Sequence, residues 1–151
     1  MRNILNESRK ITRQLIGKSF PKLKDRRINL FLSPIGFYAF CLPGNFIGIT
    51  KECNKLTKNE LKGILAHELC HAEQYLKMGL FKSKIQLLHY FLSSKFKMKV
   101  EIEADKMAIK KGYAKELFLS AKKIRLKIFD NEKIYGLSPL QIKSYAKKIG
   151  K

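Results

Sequence analysis

Acidic residues are scarce in this chain of 151 residues. It contains 12 Asp and Glu against 32 Lys and Arg, which gives a formal net charge of +20 at pH 7. A field of that sign attracts polyanions such as nucleic acid, anionic membrane or acidic peptides. Most of the bases are Lys, however, and Lys is less suited than Arg to bidentate recognition of phosphate or guanine. A polyanion contact through the basic surface is therefore an alternative and not the leading expectation.

Cysteines are few, and none forms a CxxC pair. Cys41, Cys53 and Cys70 make an odd number, so the sequence predicts neither a disulfide framework nor a zinc site built from cysteine pairs. The first residues also lack the apolar run of a secretory signal. Together these absences predict a cytoplasmic protein.

The sequence has no uninterrupted apolar run that would make a membrane helix. Residues 28–50 carry no charged side chain and are numerous enough to cross a bilayer. Pro34, Gly36, Pro43 and Gly44 nevertheless interrupt this stretch. Such punctuation is typical of short strands joined by turns, so no transmembrane segment is expected.

The remaining pattern predicts an α+β fold in a single domain spanning residues 1–151. With 45% hydrophobic residues, the chain can bury a proper core. Strands are expected at 28–32, 37–42 and 46–50, arranged as a small meander. Helices are expected at 3–16 (ended by Gly17), 57–78, 97–111, 115–129 and 139–149. The predicted architecture is a small antiparallel or mixed three-stranded sheet packed on the 57–78 helix, with further helices around it.

The 57–78 helix has the clearest boundaries. Thr57 and Glu60 fit a capping box, in which each side chain satisfies a backbone N–H of the first turn. Gly79 provides the expected stop. Its predicted inward stripe is Leu61, Leu65, Leu69, Ala72 and Leu76, at spacings of three and four residues.

Two of the three histidines lie in the motif His67-Glu68-Leu69-Cys70-His71. Residues four apart on a helix share one face, so both imidazoles can reach a single ion. Zinc accepts imidazole nitrogen readily, and two such ligands leave room for a third ligand and a water. Glu68 lies beside that face, where it can act as general base toward the water. The motif therefore predicts a hydrolytic zinc site.

The third zinc ligand must come from elsewhere, and three candidates remain: Glu101, Glu103 and His89. Glu101 is favoured because Asp105, four residues later on the same predicted helix, can accept a hydrogen bond from a ligand histidine. Glu103 lies about 200° around that helix from Glu101 and suits a solvated position. His89 lies in an apolar segment and suits a packed core position.

Two stretches resemble a known group of peptidases. They are residues 38–50 (YAFCLPGNFIGIT) and residues 56–71 (LTKNELKGILAHELCH), followed by Glu101-Ile-Glu-Ala-Asp105. The pattern resembles the gluzincin metallopeptidases of the HtpX and CAAX-prenyl-endopeptidase type, together with their compact soluble relatives, the minigluzincins. Tyr38 departs from it, since the family usually has Asn before Ala-Phe. The resemblance covers residues 36–113, about half of the chain.

This resemblance implies a zinc-dependent endopeptidase that binds one zinc ion per chain. His67, His71 and Glu101 would be the metal ligands, and Glu68 the general base. Asp105 would orient His67. The strand at 45–50 would be the sheet edge that receives a peptide or protein substrate as an added antiparallel strand. No residue matches a family oxyanion stabiliser clearly, and the candidates for that role are Tyr113, Tyr135 and Tyr145.

Two other functions remain open. The first is an SprT-like protease associated with nucleic acid, which would need His89 as its third ligand. The second is a non-catalytic basic module, in which the segment 74–100 binds nucleic acid or anionic membrane. That segment contains six Lys and no acidic residue, interleaved with aromatic residues.

Overall fold

The computed structural model describes residues 3–36, 38–127 and 134–151. Its helices are α1 (Ile4–Ser19), α2 (Lys58–Met78), α3 (Leu80–Leu92), α4 (Ser94–Lys110), α5 (Ala114–Lys127) and α6 (Pro139–Lys148). The strands are β1 (Asn29–Leu32), β2 (Ala39–Leu42) and β3 (Phe46–Ile49). The predicted α+β class, with a three-stranded sheet against the 57–78 helix, is confirmed. The part of the chain described here contains no helix long and apolar enough to cross a membrane.

The sheet is mixed and is not a meander. Its strand order is β1-β3-β2, with β1 parallel and β2 antiparallel to β3. The turn after β2 closes a tight hairpin because Gly44 and Asn45 both adopt positive φ. The chain does not turn back directly after β1. The amide of Ser33 donates a hydrogen bond to the carbonyl of Ile49, which extends the parallel pairing with β3 by one residue. The second edge of β3 thus pairs with β1, and the prediction that strand 45–50 forms the sheet edge is wrong.

Side-chain alternation explains this register. Leu30, Ile47 and Cys41 lie side by side across the three strands, and all three are buried against the helices. In the next row Gly48 lies between Phe31 and Phe40, whose rings meet edge to face at 6.0 Å. The Phe40 ring lies so close that a Cβ on Gly48 would be 2.3 Å from it. A glycine in the central strand therefore makes room for the aromatic pair.

Helix α2 is the centre of the core and begins as predicted. The amide of Thr57 donates to Glu60 at 2.7 Å, and the amide of Glu60 donates to Thr57 Oγ1 at 3.3 Å, which confirms the capping box. Gly79, with φ of 78°, follows its last residue. The predicted inward stripe is buried from Leu61 to Ala72, and Leu76 is half-buried. The helix contacts α1, α4, α5 and β2.

Several helix boundaries differ from the prediction. Gly17 does not end α1, which continues to Ser19 and stops before Pro21, where a missing N–H and a fixed φ intervene. The segment 74–100 forms the last turn of α2, the whole of α3 and the first turns of α4. The capping box of Ser138 and Gln141 begins α6 as expected. The predicted strand residue 37 and helix residues 128–129 lie outside the described residues.

Replacing Gly63 by Ala is expected to destabilise the fold, although Ala is normally the better helix former. A Cβ at this position would lie 2.3 Å from the Glu116 carbonyl oxygen of α5, so the two helices would have to separate. We expect a loss of about 1–3 kcal/mol in the free energy of unfolding. Gly17→Ala is the matched control because nothing lies within 4 Å of its Cβ position, and it should gain roughly 0.5–1 kcal/mol. Urea titrations would measure both changes in the free energy of unfolding. Changes of the same sign in the two variants would contradict the close approach of α2 and α5 at Gly63.

Candidate metal centre

Two helices bring the candidate ligands together. His67 and His71 are one turn apart on α2, and Glu101 projects from α4. The Nε2 atoms of the two histidines lie 3.0 Å apart. Oε2 of Glu101 lies 3.0 Å from Nε2 of His67 and 3.7 Å from Nε2 of His71. One ligand atom from each residue thus falls within 4.8 Å of the others, in a group that can hold a metal ion.

The other ring nitrogen of each histidine has an acceptor of its own. Nδ1 of His67 lies 2.8 Å from Oδ1 of Asp105, and Nδ1 of His71 lies 2.9 Å from Oε1 of Gln74. A carboxylate only accepts, so the proton of a neutral His67 ring is placed on Nδ1, and the Gln74 oxygen places the proton of His71 in the same way. Both Nε2 atoms then present lone pairs toward each other and toward Glu101. Three acceptors that converge so closely need a cation between them, and imidazole with carboxylate is a donor set that divalent metals accept.

Without a bound metal, the surrounding carboxylates favour the charged form of His67. Burial by itself disfavours the charged form of His67, but the hydrogen bonds and charges of Asp105 and Glu101 outweigh it and raise its pKa well above the usual range. Burial would likewise raise the pKa of Glu101, yet the hydrogen bond from His67 and the nearby ring of His71 hold it far below the usual value. The site therefore keeps Glu101 ionised, as a metal ligand must be.

Glu68 lies in the same cleft without belonging to the ligand group. Its side chain is buried and, with His67, lines a cavity of about 840 Å³. Burial raises the pKa of Glu68, while the neighbouring histidines partly offset that effect. The cleft thus combines a cluster of metal-binding type with an adjacent carboxyl group.

The cleft has one wall from the sheet and one from α3. The whole of β2 lines it on one side, and Leu87, Tyr90 and Phe91 of α3 line it on the other. The segment 74–100 therefore helps to shape the cavity that contains the histidines.

Three neighbours of the site were not predicted from the sequence. The Tyr90 hydroxyl donates a hydrogen bond to Oε1 of Glu101, and the Leu137 amide donates to Oδ2 of Asp105 at 2.6 Å. Gln74 is the third, and its spacing of three residues from His71 on one helix was a usable signal. Tyr90 and Leu137 belong to other elements, and no local pattern relates them to their partners.

The remaining candidates lie elsewhere. Glu103 is exposed on α4. His89 is exposed on α3 beside Phe96 and is not buried in the core as predicted. Tyr113 is buried and donates to Ser19, while Tyr145 packs partly against the core. Of the three predicted tyrosines, Tyr135 lines the cleft with His67 and Glu101.

Nearly half of the chain, residues 6–75, matches the sequence model of a known family. That family is peptidase family M48. The M48 match spans most of α1, the sheet and nearly all of α2, and it includes His67, Glu68 and His71. It supports a metallopeptidase. Glu101 and Asp105 lie beyond it, so their connection with the histidines depends on the structure. No curated protein and no solved structure matches the chain.

Replacing Asp105 by Asn is expected to weaken metal binding by about 10–100-fold. The Asp105 carboxylate accepts from both the His67 ring and the Leu137 amide. An amide has one oxygen, so Asn can serve one of these donors but opposes the other with its own NH₂ group. Competition titration of zinc against a chelating dye would measure the affinity. Glu103→Gln removes the same charge from an exposed position of α4 and should bind as the wild type does. Equal affinities in the two variants would exclude a positioning role for Asp105.

Proposed function

We propose that the protein is a zinc-dependent endopeptidase of the gluzincin type, similar to the HtpX and CAAX-prenyl-endopeptidase group and to the minigluzincins. The observation that carries this proposal is the convergence of His67, His71 and Glu101 beside the buried Glu68. The M48 match across α2 supports the same reaction class.

His67, His71 and Glu101 would hold one zinc ion. When bound in such a site, zinc polarises a carbonyl group and lowers the pKa of a water molecule. Zinc is favoured over other divalent ions because a glutamate beside the first histidine is the arrangement used for hydrolysis. Asp105 and Gln74 would hold the two rings in the required tautomers through their Nδ1 atoms.

Glu68 would be the general base. Its buried position raises the pKa of the carboxyl group, which makes the carboxylate a stronger proton acceptor. The carboxylate would accept a proton from the attacking water and pass it to the amine of the leaving peptide. The net reaction consumes one water and yields a carboxylate and an amine.

The peptide substrate would bind along β2. Because β3 is the central strand, its main-chain groups already pair on both sides, whereas β2 pairs on one side only among the residues that the structure describes. All four residues of β2 line the cavity shared with His67 and Glu68. An extended peptide added to this edge would be recognised through its backbone, with little demand on its sequence.

Cleavage of an unfolded protein such as casein tests the proposal. The zinc-loaded protein should hydrolyse it, a chelator should abolish the activity, and added zinc should restore it. Cleavage that needs added DNA would favour an SprT-like protease. If no peptide bond is cleaved while zinc remains bound, the endopeptidase assignment is wrong.

A further inference from the structure

Helix α3 is held to the fold through polar side chains and exposes most of its large apolar side chains. Ser83 is fully buried and donates to the carbonyl oxygens of Tyr75 and Gly79. Tyr90, on the same side, donates to Glu101. Six large apolar residues of the helix are exposed, and we call them the apolar face of α3: Leu80, Phe81, Ile85, Leu88, Phe91 and Leu92. Four of them lie opposite Ser83, while Leu80 and Phe91 lie at the side of the helix, nearer to the cleft.

This face is a continuous stripe and not a set of scattered residues. Phe81, Ile85, Leu88 and Leu92 follow one another at spacings of three and four, so they share one side of the helix. Phe81 is 78% exposed and Leu92 is 74% exposed. Exposed apolar residues are ordinary when single, but a contiguous stripe of this kind marks a surface that another body covers.

The apolar surface continues across the mouth of the cleft. Phe31 and Ile35, at and beyond the end of β1, are exposed and line the same cavity as Phe91. Leu32, next to Phe31, is half exposed. Both rims of the cleft are therefore apolar, and they belong to two different elements of the fold.

The charges around this face have one sign. Residues 74–100, which include all of α3, carry six Lys and no Asp or Glu. Lys82, Lys84 and Lys95 are exposed in or next to the helix. A helix of 13 residues is about 20 Å long, too short to span a bilayer but suited to lie in its surface. An exposed apolar stripe bordered by lysines is the pattern of helices that bind in the interface of anionic membranes.

We propose that the apolar face of α3 inserts into the interface of an anionic lipid bilayer, with the exposed lysines on the lipid headgroups and the mouth of the cleft at the membrane surface. Nucleic acid would neutralise the charges of the lysines but would leave the Phe and Leu side chains exposed to water. A second copy of the chain would cover the apolar residues but would bring two like-charged surfaces of a +20 protein together. The anionic bilayer complements both the charge and the apolar stripe.

The absence of Trp from the chain makes insertion directly measurable. Phe81→Trp places a single fluorophore on the apolar face of α3, and Leu140→Trp places one on α6 at nearly equal exposure, 79%. On adding vesicles of phosphatidylcholine with phosphatidylglycerol, the emission of the Phe81→Trp variant should shift to shorter wavelength and be quenched by brominated lipid. The emission of the Leu140→Trp variant should do neither. Pure phosphatidylcholine vesicles should give a much weaker response with both.

Flotation with the same vesicles measures binding. The double variant Phe81→Ser/Leu88→Ser should bind at least about tenfold more weakly, because two large apolar side chains are lost from the buried surface. Leu140→Ser should bind as the wild type does. Binding that is strong but unchanged in the double variant would show mere electrostatic adsorption and overturn the proposal. A wild type that does not bind vesicles would also overturn the proposal. If the double variant then loses binding to duplex DNA, the partner is nucleic acid, and if it loses self-association, the partner is a second copy of the chain. No readout here depends on peptide cleavage, so the result is separate from that of the proposed activity.

Discussion

Glu68→Gln is expected to lower kcat/KM for peptide cleavage by about 10²–10⁴-fold, the usual contribution of a general base. Gln keeps the shape of the side chain but cannot accept a proton from water at neutral pH. The ligand atoms of His67, His71 and Glu101 belong to other side chains, so the variant should retain its zinc. Initial rates on a quenched fluorescent peptide, together with zinc content by plasma mass spectrometry, would measure both effects.

Glu60→Gln is the matched control for this substitution. It makes the same change on the same helix, and Gln can still accept the hydrogen bond from the Thr57 amide. Its activity should equal that of the wild type. Wild-type activity in Glu68→Gln would exclude any mechanism in which Glu68 moves the proton, and loss of zinc from it would point to a structural fault instead.

Glu101→Ala is expected to empty the metal site. The substitution removes the carboxylate that approaches both Nε2 atoms and leaves two ligands where a protein zinc site needs at least three. We expect zinc affinity to fall by more than about 100-fold, beyond the effect of losing a residue that only orients a ligand. Wild type and variant would be purified in parallel, exposed briefly to a chelator, and analysed for zinc.

His89→Ala provides the control for that loss. His89 is the remaining histidine of the chain and lies exposed on α3, against Phe96 and away from the ligand cluster. It should keep about one zinc ion per chain, as the wild type should. If His89→Ala loses zinc while Glu101→Ala retains it, the gluzincin arrangement is wrong and the SprT-like alternative takes its place.

Local patterns predicted most of what lies on α2. The capping box, the stop at Gly79 and the inward stripe all depend on residues a few positions apart, and the structure has each of them. The i,i+4 spacing also explains why Glu101 and Asp105 reach His67 together, since one turn of α4 separates the two carboxylates.

Strand pairing could not be predicted in the same way. The turn residues between β2 and β3 indicated a hairpin, but they carry no information on which free edge β1 would join. β1 could pair with either edge of the hairpin. Its pairing with β3 buries Leu30 beside Ile47, which is a contact between distant parts of the chain. The wrong sheet edge followed from this. Tyr90 escaped prediction for a similar reason, because a break between two helices separates it from Glu101.

The separation of His67 and Glu101 along the chain has a further consequence. They are 34 residues apart, so an ion bound by both would close a loop that contains all of α3. The site does not exist in the unfolded chain, so the free energy of binding the ion would add to the stability of the folded state. The ion would thereby join the two ends of the segment that contains α3, the helix whose apolar face meets solvent.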